Sequence, residues 1–379
     1  MANVCEINDI DELWCYRPVW RSLLQHTAWA SFFLSFEWLE IYWRHFCEGQ
    51  KLRVLVVSSG GRPVGILPLV VLTERTKVGE MRVLTYPLHN WGSFYGPIGP
   101  APLLTLTAGL EYIRGRSRDW DLVELRWAGY ACSDQQQTGP AMRAAGFQSY
   151  RTVWDRVGVV DLAGTWEAYV ASHSSKWRNN LQRWERKLRD CGEVLHLRYR
   201  PRGEEFGEGD PRWDLYDACE EVARNSWQGD STTGTTLSHE SVRPFLRDVH
   251  AGAARLGAVD LNLLLVDRRP FAFAYNYQWN GSVYGLRAGY NQELCRAGAG
   301  NILILRMIRD SFLRRDRFFD MGAGYLATKR PFITRTIPLL RYGHYPVSVP
   351  RTQVLRVKRW MQQFAAKKEV ARQNVATPS

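Results

Sequence analysis

The stretch from Val283 to Arg330 constrains the fold more than any other part of the chain. Val283-Tyr284-Gly285-Leu286-Arg287-Ala288 has the β-branched and aromatic character of a strand. Arg296-Ala297-Gly298-Ala299-Gly300 is a glycine-rich turn. From Asn301 onward, Ile302, Leu305, Ile308 and Phe312 recur three or four apart, which places them on one face of a helix. After Arg314-Arg315-Asp316-Arg317 a second strand begins at Phe318 and ends in Asp320-Met321-Gly322-Ala323-Gly324. Strand, glycine loop, helix, strand is the order of a βαβ unit.

The loop in that unit suits an anion. Glycine lets the backbone approach a ligand without a Cβ in the way. The N–H groups at a helix start point outward, and the helix dipole favours negative charge there. Arg296 adds a cation at the mouth, so the loop is a candidate site for phosphate or pyrophosphate. It is not a P-loop, because no Gly-Lys-Ser/Thr follows. The three-glycine spacing of a dinucleotide fingerprint is also absent.

The 379 residues allow two domains. No apolar run reaches the length of a membrane span. Met1 to Trp20 carries Glu6, Asp9, Asp11 and Glu12, the wrong charge for a signal peptide, so a cytoplasmic protein is expected. The seven Cys are scattered and include no Cys-x-x-Cys pair, which suggests neither a disulfide framework nor a zinc site; no metal is expected. A net charge of +12 favours an anionic partner: CoA, nucleic acid or a phosphorylated sugar.

Along the chain, residues 1–50 read as helical. Phe36, Leu39, Trp43 and Phe46 follow helix spacing behind Ser35 as a cap, an aromatic face expected to be core. Strands at 52–57 and 64–71 form a hairpin, and Asp121 to Trp127 and Arg151 to Leu162 are further strands. The second half repeats this order, with strands at Asp260 to Asp267 and Pro270 to Trp279. Asp121-Leu122-Val123-Glu124 matches Phe318-Phe319-Asp320-Met321, about two hundred residues on, which suggests a duplicated fold rather than a solenoid. The first copy lacks the glycine loop. Its Gly92 to Pro102 region carries Pro97, Pro100 and Pro102, which remove N–H donors, so only the second copy is expected to bind a phosphate. Between the copies, Trp177, Leu181, Trp184 and Leu188 make an apolar stripe, with Lys176, Arg183, Arg186, Lys187 and Arg189 largely off it. A solvated basic face is the favoured reading there, and an anion-binding helix the sharper one. His239 and Glu240 read as the start of a helix running to about Ala254, and the tail from Gln362 as frayed.

Arg-Ala-Gly-Ala-Gly between a strand and a helix resembles a shortened form of the pyrophosphate loop of GNAT acyltransferases. Other segments resemble the CelD/BcsL-like branch, acetyltransferases associated with polysaccharide biosynthesis. They are Ser35-Phe36-Glu37-Trp38-Leu39, the basic run Lys176 to Arg189, Asn225-Ser226-Trp227-Gln228-Gly229, and Phe319-Asp320-Met321-Gly322 followed by Lys329-Arg330. The resemblance implies a mixed α/β protein of two tandem GNAT-like domains, each a twisted, mostly antiparallel sheet flanked by helices. The expected boundaries are 1–165 for a first domain without cofactor, 166–350 for the catalytic domain, and 351–379 for a basic tail.

The same resemblance implies acetyl-CoA or another acyl-CoA as cosubstrate. Arg287, Ala288, Arg296, Gly298, Ala299, Gly300 and Asn301 would bind it. Acyl transfer to an amine needs a proton acceptor, a donor to the oxyanion and a proton for the leaving thiolate. Tyr325 resembles the general acid many GNAT enzymes keep near the CoA sulfur, and Asp320 can orient or deprotonate the amine. Trp227, Gln228, Lys329 and Arg330 are the candidate acceptor residues. Cys295, with no His near it in sequence, is not read as a nucleophile. The expected acceptor is an amine of a small molecule or sugar. The alternatives are a Fem-type transferase, which takes its acyl group from charged tRNA and has two GNAT-like halves, and a non-catalytic nucleic-acid-binding protein. The glycines at Gly298 and Gly300 favour the CoA reading, and no RNA- or DNA-binding motif is present.

Overall fold

The computed structural model describes residues 2–87, 89–129, 133–226, 228–229, 231–291, 298–324 and 326–375. Among them, twelve strands join in one sheet. In chain order they are β1 (Ala2–Ile7), β2 (Lys51–Ser59), β3 (Arg62–Thr76), β4 (Gly79–Thr85), β5 (Leu122–Gly129), β6 (Tyr150–Asp161), β7 (Val194–Tyr199), β8 (Val259–Val266), β9 (Arg269–Trp279), β10 (Ser282–Tyr290), β11 (Phe318–Ala323) and β12 (Arg335–His344).

Their order across the sheet is β1-β2-β3-β4-β5-β12-β6-β11-β10-β9-β8-β7. Pairing is antiparallel except at β4 with β5 and at β10 with β11. From either edge inward the pattern is the same: four antiparallel strands, then a parallel fifth. The hairpins β2–β3 and β8–β9 therefore hold equivalent places, as do β5 and β11. This is the duplicated α/β architecture expected, with one addition. The halves have exchanged their last strands: β12 lies between β5 and β6, and β6 lies between β12 and β11.

Local chemistry accounts for the main helices. Ser35 Oγ accepts from the Trp38 N–H at 3.1 Å and starts the helix Phe36–Phe46. Its aromatic residues are core: Trp38 and Phe46 meet Phe245 of the helix Arg243–Arg255 at 5.7 and 4.9 Å between rings, so the halves also meet through helices. Ser174 Oγ accepts from the Trp177 N–H at 3.2 Å and starts the basic helix Ser175–Arg189. Trp177 and Leu188 are buried there, while Lys176, Arg183, Arg186, Lys187 and Arg189 are exposed, a solvated charged face over a packed stripe.

Three elements differ from the expectations. Ala2–Ile7 is a strand within the stretch read as helical. It is held by ladder bonds along the edge of β2, and only Ile7 is fully buried, so its side chains carry little apolar signal. His239 and Glu240 precede their helix, which begins at Arg243 with Pro244 in its first turn; the Ser241 N–H instead bonds His239 Nδ1 at 3.2 Å. The tail is helical over Pro350–Val375, anchored by Thr352, whose hydroxyl donates to the carbonyls of Val349 and Pro346 at 2.8 and 3.0 Å, and by buried Leu355. No helix of the described residues is long and apolar enough to cross a membrane.

Candidate active site

The two central strands of the second half diverge. β10 and β11 pair in parallel only over Ser282/Phe318, Val283/Phe319 and Tyr284/Asp320. Immediately beyond, β10 shifts register against β9 between Gly285 and Arg287, and β11 shifts against β6 between Asp320 and Ala323. Gly322 sits at the point of divergence with φ +77°, and a Cβ there would lie 2.5 Å from the Gly285 carbonyl oxygen. Only glycine fits this approach of two backbones. The glycines at 285 and 322 thus let the two strands touch where their regular pairing ends.

Asp320 belongs to the last residue pair before β10 and β11 part, and it is buried. Its Oδ1 accepts from the Gly322 N–H at 2.9 Å, so part of its role is to cap that turn. Burial pushes its carboxyl up from the usual range to about 7, against the opposing pull of the Gly322 N–H and of Lys329. Lys329, at the end of the short helix Leu326–Lys329, donates from Nζ to the carbonyls of Gly322 and Ala323 at 2.9 and 3.2 Å. Burial lowers its pKa, while Asp320 holds it up. A buried carboxyl pushed up toward neutrality, with the Lys329 charge opposing that shift, is equipped to accept a proton.

Arg287 follows the β10 bulge and does not reach outward. Its Nε donates to the Thr235 carbonyl, and its terminal nitrogens donate to the carbonyls of Leu286 at 2.8 Å and Asn90 at 3.2 Å. The guanidinium also lies over the Trp91 ring, 4.4 Å from its centroid. Burial lowers its pKa to about 10. Through Asn90 and Trp91 these contacts tie β10 to the first half. His89, two residues before Trp91, stacks on Phe46 at 4.6 Å, and burial with the nearby Arg287 charge lowers its pKa to about 4. His89, Asn90 and Trp91 were not foreseen in the sequence. They lie about two hundred residues from Arg287, and no spacing pattern links them.

The helix after β10 spans Ala299–Leu313, with Gly298 as its cap at φ +81°. A Cβ on Gly298 would come within 2.8 Å of the Trp184 ring on the basic helix, whereas one on Gly300 would meet only the Tyr290 ring at 3.5 Å. Gly298 is thus demanded by the chain's own conformation and packing, and Gly300 is not. The first turn holds no acidic residue. The N–H groups of Ala299, Gly300 and Asn301 come too early in the helix to bond its carbonyls. That end fits an anionic group such as a pyrophosphate.

Gln228 is buried and donates from Nε2 to the Ala288 carbonyl at 2.9 Å, so these two candidates meet. Arg330 is exposed. Tyr325, Arg296, Trp227 and Cys295 lie outside the described residues. Among the described residues no group of three or more His, Cys, Asp or Glu is placed to hold a metal ion.

Comparison with known proteins bears on this arrangement. Residues 175–330 match a family described as an acetyltransferase (GNAT) domain. No curated protein matches the chain. Among solved structures, FemX is similar with a TM-score of 0.60 at 9% identity, over 93% of this chain and 99% of that one. The structure of L-PGS from Bacillus licheniformis is similar with a TM-score of 0.52 at 13% identity, over 90% of this chain and 96% of that one. At these identities the likeness is one of fold.

Proposed function

We propose, from the premise that residues 175–330 form a GNAT acyltransferase domain, that the protein is an acyl-CoA-dependent N-acyltransferase. In this reading acetyl-CoA is the donor, and an amine of a small molecule or sugar attacks directly in a ternary complex. The observation that carries it is the parting of β10 and β11 beyond Tyr284/Asp320, with buried Asp320 at that point and the start of the helix Ala299–Leu313 following β10. The N–H groups of Ala299, Gly300 and Asn301, with Arg296, would hold the pyrophosphate. The bound donor supplies an activated thioester carbonyl. Asp320 takes the proton from the acceptor nitrogen as the N–C bond forms, and the Lys329 ammonium beside it keeps the carboxylate form accessible at neutral pH. Tyr325 gives a proton to the departing thiolate. Gln228, Trp227 and Arg330 belong to the acceptor side, and Arg287 with Trp91 holds β10 in place for them.

The first half supports the assignment of the cofactor to 166–350 alone. In its corresponding connection Ile98 bridges to Ile66, the Gly99 N–H donates to Thr27 Oγ1 at 2.8 Å, and Trp91, Phe94 and Tyr95 are buried. That space is filled by the chain itself. A cytoplasmic reaction in polysaccharide biosynthesis is the setting this reading favours.

A Fem-type reaction with charged tRNA is the second reading. It is favoured by the five exposed cations of the basic helix, whose Trp184 abuts the cap residue Gly298. Calorimetric titration with acetyl-CoA and, separately, with charged tRNA distinguishes the two. The first reading expects saturable acetyl-CoA binding. Binding of charged tRNA without acetyl-CoA would replace it with the second.

A further inference from the structure

The helix Pro350–Val375 uses only one face to dock on the sheet. Thr352 and Leu355 are buried. Arg356 lies over the Tyr150 ring at 5.1 Å, and Arg359 donates to Tyr345 Oη at 2.9 Å. At about 100° per residue, the opposite side carries Val354, Val357 and Met361. These are 50%, 48% and 51% exposed, and the neighbouring Trp360 is 59% exposed. Single exposed apolar residues are ordinary, but Val354, Val357 and Met361 together make an apolar stripe along the outer face.

Charge narrows what can cover that patch. Between Pro350 and Val375 the sequence places Arg351, Arg356, Lys358, Arg359, Lys367, Lys368 and Arg372 against a single acid, Glu369. Arg351 is exposed beside the stripe. A second copy of the helix is a poor partner, because pairing stripe to stripe would bring two basic helices together without acidic flanking positions. An apolar stripe on a helix with seven basic residues and one acid is instead matched by a lipid headgroup region of negative charge.

We propose that the outer face of this helix rests in the surface of an anionic lipid bilayer. Val354, Val357 and Met361 enter between headgroups, and Arg351 meets lipid phosphates. The helix lies along the surface and does not span it. Nothing in this argument depends on the acyl-transfer reading.

The test is sedimentation of the full-length protein with vesicles of phosphatidylcholine alone or mixed with phosphatidylglycerol. The expected result is binding to the mixed vesicles, weak binding to phosphatidylcholine, and release by salt. Val357→Asp combined with Met361→Asp should lower binding at least about tenfold, because each places a charge where an apolar side chain must enter the bilayer. Arg351→Gln should lower it about fivefold. Val357 and Met361 face away from the docked side and Arg351 is exposed at the helix start, and an unchanged melting temperature confirms the fold of each variant. Absence of binding to either vesicle, or equal binding by the double variant and the parent, would overturn the proposal. Sedimentation velocity showing a dimer that the double variant dissolves would assign the face to a second copy instead.

Discussion

Replacing Asp320 with Asn separates the two things the carboxyl does. Asn has the same size, and its amide oxygen can still accept the Gly322 N–H that Oδ1 now accepts at 2.9 Å. It cannot ionise. Burial raises the folded-state pKa of Asp320 from 3.8 to about 7, a shift of roughly three units and so at most about 4 kcal/mol. Because the folded value lies above the unfolded one, the native state holds the extra proton between about pH 4 and pH 7. The stabilisation that the protonated form confers is full below about pH 4 and is lost as pH rises to about 7. Asp320→Asn should therefore match the parent near pH 4 and exceed it by up to about 4 kcal/mol at pH 8. Urea denaturation at the two pH values measures this directly. Turnover should move the other way, falling by about two to four powers of ten, with loss of the rising limb near pH 7 in kcat/KM. A variant that keeps full turnover, or that gains no stability at pH 8, would refute the assignment of Asp320 as a buried, titrating proton acceptor.

The two loop glycines should behave differently. Gly300→Val should weaken acetyl-CoA binding in calorimetric titration with little change in melting temperature, since a Cβ there meets only the Tyr290 ring at 3.5 Å; unchanged affinity would remove the helix end from the site. Gly298→Ala should instead destabilise the fold by about 1–2 kcal/mol in urea denaturation, from its left-handed φ and the clash with Trp184, and an unaltered midpoint would contradict that. Tyr325→Phe should lower turnover by about two to four powers of ten and leave acetyl-CoA affinity nearly constant. Equal loss of both would give the hydroxyl a structural role.

What could be read from the sequence was local. The order around Gly298 was legible because a strand pattern, a glycine turn and a helical stripe each declare themselves within about a dozen residues. The cap at Ser35 was legible for the same reason, bonding an N–H three residues on. The partners of the site were not. Arg287 meets Asn90 across 197 residues, and an arginine on a strand gives no sign of whether it faces a ligand or three carbonyls. The titration of Asp320 depends on being enclosed, which composition around it does not state. β1 escaped because its stability comes from backbone bonds to β2. The strand exchange escaped because β6 and β12 each read simply as a last strand, and nothing in either says which fifth strand it will join.

That exchange has a consequence for how the halves assemble. In the arrangement seen here, one half alone leaves a flank of its fifth strand with unpaired backbone groups, an adhesive edge that invites association. The position is filled by the closing strand of the other half: β12 beside β5, and β6 beside β11. A half with this geometry, taken alone, could close that edge only with a strand from a second molecule. In one chain the encounter of each half with its closing strand is intramolecular, at an effective concentration set by the linking chain. A gene split again near residue 165 should be rescued by supplying both pieces together, and by neither piece alone.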